Sequence, residues 1–198
     1  MNKYVVVCNE GRMGRLTIYE IIIGEDSPKE ETCICEIKGE MEYEKFYLGM
    51  SYKSEKEIET KIIRHGLKDN FIDNAQSLLI VDQEVKKVMD LEKFVDIEFV
   101  PIKIEKREYY ILNIMNIIFD SLDMKKSVVM TFPDDFPNKK VRGKIGTIWK
   151  TVLYENKIRG HIFRIAEFPK DIFVDEYFRD LIKKNRFTGI DFQKIELS

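Results

Sequence analysis

The sequence predicts an α+β fold, a mostly antiparallel sheet with a few packed helices. Three observations lead there. β-branched runs bounded by Gly, Pro and charged turns recur along the chain, helical periodicity is confined to a few short windows, and one helix-strand pattern is used twice. Residues 80–104, IVDQEVKKVMDLEKFVDIEFVPIKI, and residues 173–197, FVDEYFRDLIKKNRFTGIDFQKIEL, align without a gap. Val81 falls on Val174, Asp82 on Asp175, Phe94 on Phe187, Ile97 on Ile190, Phe99 on Phe192 and Ile102 on Ile195.

Each copy reads as one helix-strand unit. Asp82 and Asp175 suit N-caps, whose carboxylates accept from unpaired backbone N–H groups. The spacing then sets Val85, Val88 and Met89, and likewise Phe178, Leu181 and Ile182, on one helical stripe facing a core. Asn185 is expected to close the second helix in a left-handed conformation. Beyond it, Ile190 and Phe192 alternate with Asp191 and Gln193, the period of a half-buried strand. Duplication and chance similarity of two amphipathic units both account for the match. Two copies are too few for a solenoid.

The remaining elements follow in order. Residues 4–8 and 16–23 predict an opening hairpin around Gly11 and Gly14, followed by a charged loop at 24–31 containing Pro28. CICEIKGEMEYEKFYL predicts one or two strands broken at Gly39. Ser54 is expected to cap a helix carrying Ile58, Ile62 and Ile63 to a stop at Gly66, with another short helix before residue 80. Residues 107–119, the most apolar run, predict a central strand, with a buried helix as the rival reading. A polar elbow at 120–127, an extended segment at 127–132 and a loop with Pro133, Pro137 and Gly143 come next. Residues 147–154 and 158–168 flank ENK at 155–157, which reads as a hairpin turn. The chain reads as a single α+β domain over residues 1–198, within which residues 1–75 form a candidate β-rich subdomain.

Composition narrows the function classes. With 198 residues, 44% hydrophobic and 34% charged, the chain can bury a sizeable core without staples and is not disordered. Lys and Arg number 33 against 35 Asp and Glu, a net charge of -2, which argues against nucleic acid as an obligate partner. No run approaches the roughly 18 apolar residues of a spanning helix, and the N-terminus lacks the build of a signal peptide, so no membrane partner is expected. A cytoplasmic location follows as the expectation, with Cys8, Cys33 and Cys35 as free thiols.

Little in the chain points to catalysis. There are two histidines, His65 and His161, and Cys33-Ile34-Cys35 matches no standard zinc spacing. GRMG after the first strand lacks the third glycine of a dinucleotide fingerprint and reads as a turn. No catalytic residue, cofactor or metal ligand is therefore assigned. Asp120, Asp123, Asp134 and Asp135 lie in loops on either side of SVVMTF. They are the candidate contact residues for a basic partner, where charge complementarity speeds encounter; as solvated loop residues they have no such role. Tyr109, Tyr110, Trp149, Tyr154, Phe163 and Phe168 are expected mainly in the core, with any exposed one a candidate interface anchor.

Several segments together resemble an immunity-protein family of bacterial polymorphic toxin systems. They are Val81-Asp82 before a helix, Glu98-Phe99-Val100-Pro101, the Tyr110-Ile111-Leu112-Asn113 strand with Asp120, Asp123 and Ser127 after it, Ile162-Phe163-Arg164, Phe173-Val174-Asp175, and Thr188-Gly189-Ile190-Asp191-Phe192. The resemblance covers about residues 78–198. It implies a cytoplasmic, non-catalytic protein that binds and neutralises a cognate toxin domain encoded nearby. Composition and spacing alone give only a soluble α+β domain, for which a small enzyme and a small-molecule-binding module are the competing functions.

Overall fold

The computed structural model describes residues 16–23, 33–37, 43–53, 58–66 and 69–198. The chain begins with strands β1 (Ile18–Ile23) and β2 (Ile34–Ile37), helix α1 (Tyr43–Tyr47), and strands β3 (Ile58–Arg64), β4 (Phe71–Asn74) and β5 (Ile80–Val81). Helix α2 (Gln83–Glu92) leads to β6 (Ile97–Ile104), β7 (Arg107–Ile114), β8 (Ile117–Ile118) and β9 (Val128–Thr131). Then come β10 (Ile145–Lys150), β11 (Val152–Leu153), β12 (Ile162–Ile165), β13 (Phe173–Asp175), helix α3 (Glu176–Lys184), β14 (Ile190–Lys194) and β15 (Glu196–Leu197). The expected α+β class holds at this level, with an architecture the sequence did not announce: six strands close into a barrel in the order β2-β3-β6-β7-β5-β4.

The two repeated segments form the same split unit. β5 and β6 both pair antiparallel with β7, which lies between them; β13 and β14 flank β1 in the same way. Even the register is shared. Val81 and Pro101 lie opposite Tyr110, and their counterparts Val174 and Lys194 lie opposite Tyr19. The match extends beyond the repeat. β4 pairs antiparallel with β5 as β12 does with β13, and β2 runs parallel to β4 as β8 does to β12. β3 runs parallel to β6 as β11 does to β15, and a lone bridge from Leu122 to Leu153 replaces the β2–β3 ladder. The second half is thus a looser copy of the barrel, completed by a strand from the opposite end of the chain: β1 takes the place that β7 holds in the first.

Corresponding residues from both halves share one core. Val85 and Met89 of α2 and Phe178, Leu181 and Ile182 of α3 pack with Tyr19, Ile21, Tyr110 and Leu112. A second core, including Cys35, Ile58, Ile80, Val100 and Ile111, fills the barrel, and a third, including Ile18, Phe163, Phe173 and Ile195, fills the second half. The halves meet with twofold-like reciprocity. Gly189 lies against Asp69 and the Phe71 carbonyl, where an added Cβ would come within 2.2 Å of that oxygen; the corresponding pair reverses the roles, Gly160 lying against Asp96.

Several local expectations are corrected. YEKFY (Tyr43–Tyr47) is the short helix α1 rather than a strand; it buries Phe46, whose aromatic neighbours gave the stretch its β-like composition. Ile58–Ile63 belongs to strand β3, not a helix: Ile58, Thr60 and Ile62 sit on one side by alternation, and β-branched residues favour the pleated surface. Its proposed cap Ser54 lies outside the described residues, as do residues 4–8, the Gly11–Gly14 turn, the whole 24–31 loop and Gly39. The short helix expected before residue 80 is strand β4. ENK is a 3-10 turn and not a hairpin, because the strands around it pair elsewhere, β11 with β15 and β12 with β13 and β8. Asn185 ends α3 in a right-handed conformation, and the left-handed residue is the next one, Arg186 at φ 56, matching Lys93 at φ 56 after α2.

Candidate partner-binding surface

Between β8 and β11 the chain projects a two-stranded hairpin, β9 paired antiparallel with β10. Alternation, shifted by irregularities in β10, sets its two faces. Val129, Ile145 and Ile148 pack on the third core, whereas Val128 (48% exposed), Met130 (44%) and Trp149 (67%) are left in solvent. Met124, in the preceding elbow, and Phe119, just before it, are exposed as well. Exposed large apolar groups gathered on one element mark an interaction surface more often than scattered ones do. The hairpin loop is internally tied. Phe132 and Phe136 rings lie 4.8 Å apart, Arg142 Nε donates to the Phe136 carbonyl at 2.7 Å, and Gly146 leaves room for the Phe132 ring.

The four acidic residues fall on two loops, one on each side of β9. Asp134 and Asp135 are exposed in the hairpin loop, and Asp120 is exposed in the elbow with a positive φ of 52, a region Asp tolerates better than most residues. Asp123 is different. It is buried, and its Oδ1 accepts from the Lys125 and Lys126 amides at 3.0 and 3.3 Å. Burial by itself would raise its carboxyl, yet the hydrogen bonds from Ser198 and those two amides, with the Lys126 ammonium, hold it below the usual carboxylate range. Asp123 therefore shapes the elbow, while Asp120, Asp134 and Asp135 face outward.

Beside the hairpin a cavity of about 350 Å³ opens between β10, β1 and β14, lined by Glu20, Trp149, Lys150, Thr151, Gln193 and Glu196 among others. Desolvation, and then the nearby Asp171 carboxylate, push Glu20 up to about 7. Asp171 is itself raised to about 6 by burial, against the attraction of Arg164 and Lys170. Glu20 did not stand out in the sequence, and Trp149, expected mainly in the core, is exposed and so falls among the candidate anchors. The available signal was parity: Glu20 shares a strand face with Ile18 in an otherwise apolar run.

Several other polar groups hold the fold together. Glu98 accepts from Ser51 Oγ at 2.7 Å, the Tyr52 amide at 2.9 Å and Asn113 Nδ2 at 3.0 Å, clamping the 50–52 segment onto the barrel. Arg164, fully buried, donates to the Pro169 and Lys170 carbonyls at 2.7 and 2.9 Å and lies 5.7 Å from the Tyr47 ring. His161 contacts Asp175 Oδ2 through Nδ1 at 2.7 Å. Cys35 fills the barrel core, where burial, with the Cys33 thiol and Asp73 beside it, pushes its thiol up to about 12.

Residues 64–197 match a family described as an immunity protein family, Imm11. The chain belongs to the Imm11 immunity protein family. No curated protein matches it. In this Imm11 protein the matched span begins at the last residue of β3 and takes in the hairpin, both split units and all four acidic positions. It leaves out β1, the strand that completes the second half. Many residues of the earlier resemblance are caps, clamps and core: Asp82 and Asp175 at helix N-termini, Glu98 and Asn113 at the 50–52 segment, Gly189 at the contact between halves; Asp120 is exposed. No described helix is long and apolar enough to cross a membrane.

Proposed function

We propose that this protein binds a cognate toxin domain in the cytoplasm and neutralises it by occupancy, catalysing no reaction of its own. The observation that carries the reading is the outer face of the β9–β10 hairpin, where Val128, Met130 and Trp149 are exposed on an element whose other face is anchored in a core. Membership of an immunity family supports a toxin as the partner. An inhibitor that works by occupancy must outlast the toxin's attempts to act, which favours a rigid surface with an aromatic anchor over a flexible one. Asp120, Asp134 and Asp135 beside that face add negative charge to steer a basic partner. The test is co-expression with the toxin domain encoded beside this gene. Growth should be rescued, and the two chains should purify as a stoichiometric complex. Trp149→Ala should weaken the complex by about tenfold or more, the range of an interface anchor. If the chain neither binds nor protects against that toxin, the reading fails.

A further inference from the structure

At four matched positions around the cavity the two halves differ in kind. In the barrel, Ile58, Leu78, Val100 and Ile111 are all buried in the apolar core. The shared register puts Thr151, Asp171, Gln193 and Glu20 at those positions in the second half. Gln193 lies opposite Glu20 as Val100 lies opposite Ile111, and Ile21 donates to the Ile172 carbonyl as Leu112 does to that of Leu79. The insertions between corresponding strands differ too. In the first half α1 delivers Phe46 into the barrel core; in the second the hairpin leaves the 350 Å³ cavity, with Trp149 at its edge.

We infer that this cavity is a socket for a basic side chain, arginine or lysine, presented by the toxin domain; the inference rests on the immunity reading above. A carboxylate taken out of water without a counter-charge is costly. Glu20 is in that position: among the described residues, the charged neighbour that acts on it is Asp171, of its own sign. Two lysines also line the cavity: Lys150 is already held by Glu196 at 2.9 Å, and Lys194 lies opposite Tyr19, out of phase with Glu20, so its side chain leaves from the other face of the sheet; Arg164 and Lys170 act on Asp171 instead. An incoming guanidinium or ammonium supplies the missing charge. Its aliphatic stem can lie along Trp149, where a cation also meets the ring face favourably. Because the cavity shares Trp149 with the hairpin's outer face, a protein docked on that face reaches it without a second interface.

The chain has a single tryptophan, so protein labelled with 5-fluorotryptophan gives one fluorine resonance that reports on the socket. Titration with the toxin domain should move that resonance. Glu20→Gln, and Glu20→Ile, which copies the residue of the first half, should fold normally and lower the affinity by about tenfold or more. Wild-type affinity in both variants, or an unmoved resonance in a complex that does form, overturns the socket and leaves the immunity reading standing. If the unaltered protein forms no complex, the immunity reading falls and the socket with it.

Discussion

Asp82 and Asp175 occupy the same place in the two halves, and each is held there by the same pair of bonds. The Asp82 amide donates to the Asn70 carbonyl and its Oδ2 accepts from Asn70 Nδ2 at 2.7 Å; the Asp175 amide donates to the His161 carbonyl and its Oδ2 meets His161 Nδ1 at 2.7 Å. The other oxygen of each caps a helix, Asp82 Oδ1 accepting from the Glu84 and Val85 amides and Asp175 Oδ1 from that of Phe178. Replacing Asp82 by Ala should therefore cost about 0.5–2 kcal/mol, the range for a lost cap. Asp175→Ala should cost more, since Asp175 is fully buried and its Oδ2 also holds His161. His161→Asn, which installs the partner used in the first half, should retain more stability than His161→Ala. Urea denaturation of the four variants decides it.

Stability should also carry a pH signature from the cavity. Glu20 is raised to about 7 and Asp171 to about 6, from ordinary values of 4.5 and 3.8. Between those limits the folded chain keeps protons that the unfolded chain has released, so the contribution is full below about pH 4 and is lost as pH rises through 7. Lys170 and Arg164 beside Asp171 act against the shift without cancelling it. Glu20→Gln should flatten the fall in melting temperature between pH 5 and 8 and should stabilise the protein at pH 8. An unchanged slope would show that Glu20 titrates normally.

The cysteines should prove to be packing residues. Cys35 corresponds to Ile118 in the second half, both lying in the parallel pairing with β4 or β12, and its raised thiol is a poor nucleophile at neutral pH. Cys33 and Cys35 should resist alkylation in the native protein and react on unfolding, read by peptide mass spectrometry. The double replacement by Ala should lower the melting temperature and leave protection against the toxin intact.

What the sequence could and could not reveal follows from the range of the interactions involved. The caps at Asp82 and Asp175, the stripes of α2 and α3 and the alternation of β14 are set by residues within a turn or two of each other, and all were legible. Barrel closure was not, because it depends on parallel pairings such as β3 with β6 and β2 with β4, which no local pattern encodes. The placing of β1 between β13 and β14 joins the two ends of the chain, and a tandem reading of the repeat cannot anticipate a strand supplied from the far end. At the surface, Asp120, Asp123, Asp134 and Asp135 look alike in sequence. Only the fold separates the carboxylate of Asp123, bonded to amides two and three residues on, from the other three.

That separation makes the acidic loops testable without ambiguity. Asp120, Asp134 and Asp135 are exposed, and surface charges of this kind act mainly on the rate of encounter with an oppositely charged partner, an effect that salt screens over about 8 Å at physiological ionic strength. Reversing all three to Lys should leave the melting temperature close to that of the wild type, slow association with the toxin domain by about tenfold at low salt, and abolish most of the salt dependence of the association rate. Dissociation should change little. Asp123→Lys belongs to another class: it removes the acceptor for the Lys125 and Lys126 amides and puts a cation in a buried turn already bordered by Lys126. It should destabilise the elbow and, with it, the strand pairing of Leu122 with Leu153. Stopped-flow association at several salt concentrations, set beside thermal melts, distinguishes the two effects, and an association rate in the triple variant equal to that of the wild type at every salt concentration removes the acidic loops from the binding surface.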